Sequence, residues 1–265
     1  LALSCGGKGA NQAVAAARDG VRVAMAGAVG DDDAGRRQAA ALEGAGVDTR
    51  WLRRLAGVPT GTAFIQVDAR GENTIVVVQG ANARVALSAG DLEARVVVTQ
   101  NEIPSAAQQE AGELAARAGA RLVINAAPAP GSPPPWYGNA DPLVVNEHEA
   151  AQLAASNEAG AGLLRRLRER TGVRSVVMTL GERGALIDDG TGVYAIPPVV
   201  VEQVVDATGA GDTFVGVLAA RLARGEGLVA AASAANRFAA EAVTWPGARP
   251  PAERVTGGRV HPGVG

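Results

Sequence analysis

One cysteine, Cys5, cannot close a disulfide within the chain, and the two histidines, His148 and His261, form no cluster with zinc-ligand spacing. This cysteine usage reads as that of a cytosolic protein. No apolar run approaches the ~20 residues that span a bilayer. The first residues also lack the charged and apolar blocks of a secretory signal. Neither sign of charge is in excess, with 25 Lys+Arg against 27 Asp+Glu and a net charge of -2. The basic residues are scattered apart from short pairs such as Arg165-Arg166, so there is no footprint for nucleic acid. Two nucleotide signatures are missing as well. There is no G-x-x-x-x-G-K-[ST], and no strand leads into G-x-G-x-x-G with an acid about 20 residues on. The partners to expect are small molecules, with no nucleic acid and no membrane.

What the chain has in excess is glycine, 35 of 265 residues, or about 13% against a usual ~7%. The glycines fall in separate clusters, which predicts several backbone-lined turns. With 47% hydrophobic and 20% charged residues, the chain reads as one globular domain.

Periodicity predicts a helix over 10–18, a buried strand in "VRVAMAG", a helix in "DDAGRRQAAALEGAG" and a hairpin in "TAFIQVDARGENTIVVV" that could serve as lid or edge. Alternation then resumes: strand "RVVVTQ", helix 106–118, strand "RLVIN", a proline-rich loop 128–135, strand "PLVVN" and helices over 147–170. Strands "SVVMTL", "GALIDD" and "GVYAIP" follow, then helices at 210–223 and 228–242. Strands alternating with helices favour a parallel sheet covered on both faces, with ligands beyond the carboxyl ends of the strands.

The strongest constellation is "VVDATGAGDTFVGVLAARLARG", residues 204–225. It reads as an apolar strand ending at Asp206, a glycine turn, and Asp212 at the start of a helix whose apolar side includes Phe214, Val217 and Leu218. The N–H groups of Gly209, Ala210 and Gly211 could converge on an anion at the positive end of that helix. Asp212 is either an N-cap or a base for a nucleophile attacking that anion. Beside an anion its capping value would come with repulsion, which favours the base and suggests phosphoryl transfer. In "VVNEHEA", Asn146 ends a strand and Glu149 lies one turn into a helix. The carboxylate could hold Mg2+ through water, or simply favour a solvated helix start. "TLGERGA" (179–185) is a hairpin turn by default and a nucleotide cradle by association. Glu102 in "TQNEIP", taken alone, is a surface acid.

In order, "GGKGANQAVAAA", "NEIP", "NAAPAP", "NEHEA", "TLGERGA", "DATGAGDTF" and "WPGARP" resemble the ribokinase family of sugar kinases, the PfkB type, over nearly the whole chain. The resemblance implies a three-layer α/β/α sandwich with a mostly parallel central sheet and a small β lid, as a single domain over 1–265 with the lid hairpin within 60–80. It implies transfer of the ATP γ-phosphoryl to O5 of ribose, with Asp212 as base and Gly209, Ala210 and Gly211 as anion hole. Gly7, Lys8, Gly9, Ala10, Asn11 and Glu102 match sugar-binding positions. Asn146, Thr179, Leu180, Gly181, Glu182, Arg183, Gly184, Gly211 and Asn236 match the ATP site. Glu149 matches the carboxylate tied to Mg2+ through water. Asp206 and Thr208, with the backbone of Ala242, Trp245 and Gly247, match ligands of an activating monovalent cation, K+. Pro251 stands where the pattern often has a hydroxyl for this ion, and proline has none.

The front departs from the pattern. The family places a first strand, carrying an amide and an acid for the sugar, and further lid strands before the GGKGAN motif, which here begins at Gly6. The chain is therefore expected to be a partial sequence with an incomplete lid, lacking the N-terminal strand and a closing C-terminal amphipathic helix. A homodimer through the lid is conceivable on the same pattern. The competing readings are a PfkB-type kinase for deoxyribose, a fructose-type sugar or a nucleoside, and a catalytically silent nucleotide- or sugar-binding fragment.

Overall fold

A computed structural model describes residues 3–67, 73–87 and 93–250. Its centre is a six-stranded sheet built from β7 (Val96–Gln100), β8 (Arg121–Asn125), β9 (Leu143–Asn146), β10 (Val176–Thr179), β11 (Ala185–Asp188) and β12 (Val193–Ile196), in the order β12-β11-β10-β9-β8-β7. The pairings from β7 to β10 are parallel, and β11 and β12 continue antiparallel. The parallel strands are short runs of Val, Ile and Leu because both of their faces are covered.

Side chains alternate between those two faces. Leu122, Ile124, Leu143, Val145, Val176 and Met178 pack against a layer with α3 (Ser105–Ala118), α4 (Glu147–Ala154) and α5 (Gly160–Thr171). Val123, Val144 and Val177 pack on the other face against α6 (Ala210–Ala223) and α7 (Leu228–Ala242). This is the expected three-layer α/β/α sandwich.

The amino-terminal part adds α1 (Lys8–Arg18), α2 (Asp33–Gly44) and three two-stranded sheets. β1 (Val23–Ala24) pairs with β3 (Val47–Asp48), and β2 (Gly27–Gly30) pairs with β4 (Leu52–Leu55). The expected buried strand "VRVAMAG" is thus corrected. Only Val23–Ala24 of it lies in β1, half-exposed, and the chain re-enters a second small sheet at Gly27. The hairpin is present as β5 (Thr62–Val67) and β6 (Asn73–Val78), antiparallel with Phe64 opposite Val76; its turn lies outside the described residues. Its root is tied down by Asp32, the N-cap of α2, which accepts from the Thr60 hydroxyl at 2.6 Å, the Thr60 N–H at 2.8 Å and the Gly35 N–H at 2.8 Å. These three donors hold the Asp32 carboxyl down to about 2.

A second correction concerns the approach to the glycine turn. The "VVD" that ends at Asp206 is not a strand: residues 197–207 are irregular, and Val200, Val204 and Val205 are exposed and pair with no strand among the described residues. The backbone there is anchored instead by the N–H groups of Val205 and Asp206 donating to Val243 O, just past the end of α7.

The arrangement that positions the site is the pairing of α1 with α6. Asn11, near the start of α1, meets Asp212, near the start of α6. Asp19, just past the end of α1, takes hydrogen bonds from Arg221 at 2.6 Å and Arg224 at 3.2 Å, near the end of α6. The two helices therefore run parallel. Midway between these contacts, a Cβ on Gly216 would sit 2.3 Å from Gln12 O and 2.8 Å from Ala15 Cβ, so only glycine permits this crossing.

Candidate active site

Two parallel helices bring their N-terminal ends, and hence their positive dipole ends, to one place. Asp212 occupies the first turn of α6 and is only 9% exposed. Both of its oxygens are held by consecutive carboxamides of α1: Asn11 Nδ2 donates to Oδ2 at 2.9 Å and Gln12 Nε2 to Oδ1 at 3.2 Å. Behind each carboxamide stands a further donor. Arg249 Nε donates to Asn11 Oδ1 at 2.9 Å, and Gln100 Nε2 donates to Gln12 Oε1 at 2.7 Å. The result is one directional chain, Arg249 to Asn11 to Asp212 and Gln100 to Gln12 to Asp212, that ends on the carboxylate from both sides.

Burial pushes the Asp212 carboxyl up from the ordinary aspartate value, while the Asn11 bond, the charge of Lys8, the Gln12 bond and the charge of Arg249 oppose it. Glu102, at the turn after β7, is raised by burial in the same way, opposed by Lys8 and pushed further up by Asp212. It accepts from the Lys8 N–H at 3.3 Å. Glu149 is also raised by burial, and Lys8 opposes that shift too. Lys8 thus acts on three carboxylates reached from three different elements.

Asp212 is not an N-cap. The cap of α6 is Gly209, at φ 80 and ψ 0, and no side chain caps the helix. A Cβ on Gly209 would lie 2.6 Å from Ala248 Cα, so glycine is required by conformation and by space. Beyond Gly211 there is open space. The expected triple anion hole is narrower here, because the Ala210 N–H turns back to Ala207 O at 3.3 Å. An uncapped helix start opening onto free space suits a phosphate.

At the start of α1, Gly7 is the N-cap, again with no side-chain cap. A Cβ on Gly9 would come within 3.1 Å of Gln100 Oε1, Ala10 is buried, and Asn11 is committed at both ends of its carboxamide as described.

The carboxyl ends of the parallel strands carry the polar row Gln100, Asn125, Asn146 and Thr179, in register or nearly so across the sheet. Asn146 caps α4 in a capping box: Asn146 Oδ1 accepts from the Glu149 N–H, and Glu149 Oε2 from the Asn146 N–H, both at 2.8 Å. The solvated-helix-start reading of Glu149 is therefore realised as a cap, which still leaves its other oxygen free of that bond.

The turn Thr179–Gly184 joins β10 to β11 through a short 3₁₀ helix containing Gly181, Glu182 and Arg183, closed by Leu180 N–H to Gly184 O at 2.8 Å. Arg183 pairs with Glu147 at the start of α4. Gly184 lies against the backbone of Ile196 and Pro197, and Asn236 of α7 donates to Pro197 O at 2.9 Å. Pro197 so brings the glycine turn and Asn236 to one side of the sheet.

Asp206 accepts from the Thr208 N–H at 2.8 Å and the Gly247 N–H at 2.9 Å; the Thr208 side chain first, and then these two amides, hold its carboxyl low. Ala242 and Trp245 are buried in the same segment that ends α7. The five residues expected around a monovalent cation are therefore carried by two crossing segments, 206–208 and 242–247. Pro251 lies outside the described residues. Among the described residues no three His, Cys, Asp or Glu side chains converge into a metal cage, and no helix is long and apolar enough to cross a membrane.

Gln12, Gln100, Arg249 and Gly216 were not singled out from the sequence. Gln12 sits inside "GGKGANQA", and an isolated glycine within a helical pattern is a signal for close packing. Arg249 likewise sits inside "WPGARP", but no local pattern marks its side chain.

A covered α/β sheet with a buried carboxylate, a glycine-initiated helix and a polar row beyond the strand ends is a layout that suits phosphotransfer to a small molecule. The chain belongs to the pfkB family of carbohydrate kinases, whose pattern matches residues 1–254. It is 38% identical over 234 residues to the ribokinase of Mus musculus, covering 83% of this chain and 72% of that one. To the ribokinase of Bacillus subtilis it is 38% identical over 250 residues, covering 92% of this chain and 83% of that one. The fold superposes with a TM-score of 0.83 on the ribokinase of Arabidopsis thaliana complexed with ribose and ATP, at 27% identity, covering 92% of this chain and 82% of that one.

Proposed function

We propose that this chain transfers the γ-phosphoryl group of ATP to O5 of D-ribose. The observation that carries the reading is the Asp212 carboxylate, buried, gripped on both oxygens and set beside an uncapped helix start. In the reaction Asp212 accepts the proton of the sugar hydroxyl. The hydroxyl oxygen forms the new P–O bond as the bond between the γ-phosphorus and the β,γ-bridging oxygen breaks, and ADP leaves. A base contributes typically ~10²- to 10⁴-fold, and the rest is in-line positioning and charge stabilisation. A raised carboxyl pKa suits a base working near neutrality, because the matched group both ionises and accepts.

The N–H groups at Gly209 and Gly211 and the helix dipole would steady charge on the transferring group. Lys8, Glu102 and the backbone at Gly7 and Gly9 would bind sugar hydroxyls. Asn11 has one N–H and one lone pair left for the same purpose. The turn Thr179–Gly184, with Asn236 across Pro197, would seat the nucleotide, and Asn146 would meet its phosphates. Mg2+ bound with the nucleotide would neutralise phosphate charge. An ion that keeps most of its water needs no cage of side chains, and Glu149 would reach it through one of those waters. Asp206, the Thr208 carbonyl and the backbone of Ala242, Trp245 and Gly247 would hold K+ behind the glycine turn. The apolar side chains exposed on the hairpin, Phe64, Val76, Val77 and Val78, fit a homodimer through the lid, which sedimentation would reveal.

The deciding experiment incubates the protein with ATP, Mg2+, K+ and a panel of ribose, 2-deoxyribose, fructose and nucleosides. Preferential formation of ribose 5-phosphate is expected. An equal or greater rate on another acceptor would replace the substrate. Nucleotide binding without transfer to any acceptor would replace the kinase by a binding protein.

A further inference from the structure

We infer that Arg249 is a positioning residue, which holds the Asn11 carboxamide with its nitrogen turned toward Asp212 and so fixes the orientation of the base. The inference rests on Asp212 being that base. A carboxamide is nearly symmetric in shape, and nothing in Asn11 alone decides which end faces the carboxylate. The flipped amide would set Asn11 Oδ1 against Asp212 Oδ2, two acceptors with no proton between them. A guanidinium has only donors, so the end of Asn11 that faces Arg249 must be its oxygen, and the end left for Asp212 must be its nitrogen. The opposite arm lacks this property, because Gln100 is itself a carboxamide that could turn. Arg249 is the one donor-only group in the chain of bonds that ends on Asp212.

The guanidinium is itself well fixed. Nε donates to Asn11 Oδ1 at 2.9 Å and Nη2 to Gly6 O at 3.1 Å, so it straddles the start of α1. Its backbone segment is anchored two residues earlier by the Gly247 N–H on Asp206, and Ala248 packs against Gly209. Among the described residues no carboxylate lies within ion-pair distance of Arg249, and its Nη1 is sealed from solvent without an acceptor. A half-buried arginine that neither pairs with a carboxylate nor fills its donors is a poor device for stability. Replacing it with an apolar side chain of similar length should leave the fold intact and disturb only what it points.

When Asp212 takes the substrate proton, the same lock prevents Asn11 from flipping to accept it. The proton stays on the lone pair facing the site.

The test uses the full chain with four variants: R249M, R249K, N11A and the double variant R249M/N11A. R249M is expected to lower kcat roughly 10- to 100-fold, as small misplacements of reacting groups do, with KM for ATP within about threefold and thermal stability unchanged or higher. In the N11A background R249M should cost nothing more, because Arg249 acts through Asn11. A multiplicative loss in the double variant, or an R249M rate equal to that of the unsubstituted chain while N11A is impaired, overturns the inference. Should R249M prove unstable, R249Q, whose carboxamide can turn and so loses the lock, takes its place in the cycle, and the same two results would overturn the inference; R249K, whose ammonium is also donor-only, should keep much of the rate. D212N assayed alongside separates the two readings. Full turnover in D212N removes the base itself, whereas a dead D212N with an unaffected R249M removes Arg249 alone.

Discussion

Asn11 and Asp212, 201 residues apart in the chain, meet at 2.9 Å because their helices run parallel and begin at the same place. Parallel neighbours have repelling dipoles, so the pairing needs reinforcement, and it has it at three levels. The carboxamide grip lies at the N-terminal ends, the Gly216 crossing in the middle, and Asp19 between Arg221 and Arg224 at the far end. The benefit of the parallel arrangement would fall at the proposed site, where both positive ends would face the charge that phosphoryl transfer develops.

Removing the base while keeping its shape tests the central assignment. Asp212→Asn should lower kcat by about 10²-fold or more and leave ATP affinity within about threefold, measured by calorimetry and steady-state assay. The new amide also turns donors toward the donors of Asn11 and Gln12, so its structure should show one of those bonds lost. A rate close to that of the unsubstituted chain would take Asp212 out of the chemistry.

The pH dependence has a definite sign. Only the ionised Asp212 can accept a proton, and burial raises its carboxyl above the ordinary aspartate value. Activity is therefore present above that raised value and lost as pH falls through it, at higher pH than for an ordinary aspartate. The other charges that face it are Lys8 and Arg249, which oppose the rise, and Glu102, which is coupled to it. Gln12→Ala removes one donor to the carboxylate, so the acid limb of kcat/KM should move further up. An acid limb that stays put in that variant would show that the Gln12 bond does not tune the base.

The helix crossing is tested at Gly216. Gly216→Val puts side-chain atoms where a Cβ alone would already be 2.3 Å from Gln12 O. Overpacking of this kind costs about 1 to 3 kcal/mol, read as a lower urea midpoint. Since Gln12 follows directly on Asn11, the same shift should reduce kcat well beyond what the stability loss explains. Wild-type kcat in a folded G216V protein would dissociate the crossing from the site.

The far end of the pair should behave differently. Asp19 is buried against two arginines that are themselves partly exposed. Asp19→Ala leaves those arginines able to reach water, so a loss of about 1 to 3 kcal/mol is expected, with KM for both substrates nearly unchanged. An effect on kcat as large as that of Gly216→Val would mean that the two ends of the helix pair are rigidly coupled.

Much of this was legible in the sequence where local physics decides. The boundaries of α6 and α7 follow from alanine-rich periodicity, and β8 to β10 from short Val/Ile/Leu runs. The capping box at Asn146 and Glu149 is a local pattern too. What escaped the sequence depended on long-range partners. The valines before Asp206 have strand propensity but find no neighbouring strand among the described residues, so they stay irregular, with the Val205 N–H held by Val243 O. Gln12, Gln100 and Arg249 matter only because three remote segments converge on one carboxylate, and no spacing rule links residue 249 to residue 11. The Ala210 N–H could be counted toward an anion hole until its turn bond to Ala207 O was seen.

The last test concerns the segment that carries Gly247 and Arg249 together. Asp206 holds the Thr208 and Gly247 amides at 2.8 and 2.9 Å, and the Thr208 side chain together with these amides keeps its carboxyl low, so it stays ionised across the working pH range. An ionised carboxylate with lone pairs to spare suits a weakly hydrated monovalent cation, which would brace the glycine turn from behind. If so, the rate of the unsubstituted chain should rise with K+ at constant ionic strength, and Asp206→Ala should be slow and insensitive to K+. The variant loses the two amide bonds as well, so Asp206→Asn serves as the control, since its carbonyl oxygen can keep one of those bonds without the charge. Equal K+ activation in the unsubstituted chain and in both variants would leave Asp206 as a loop anchor only, and the rigidity of the glycine turn would then rest on Gly209 against Ala248.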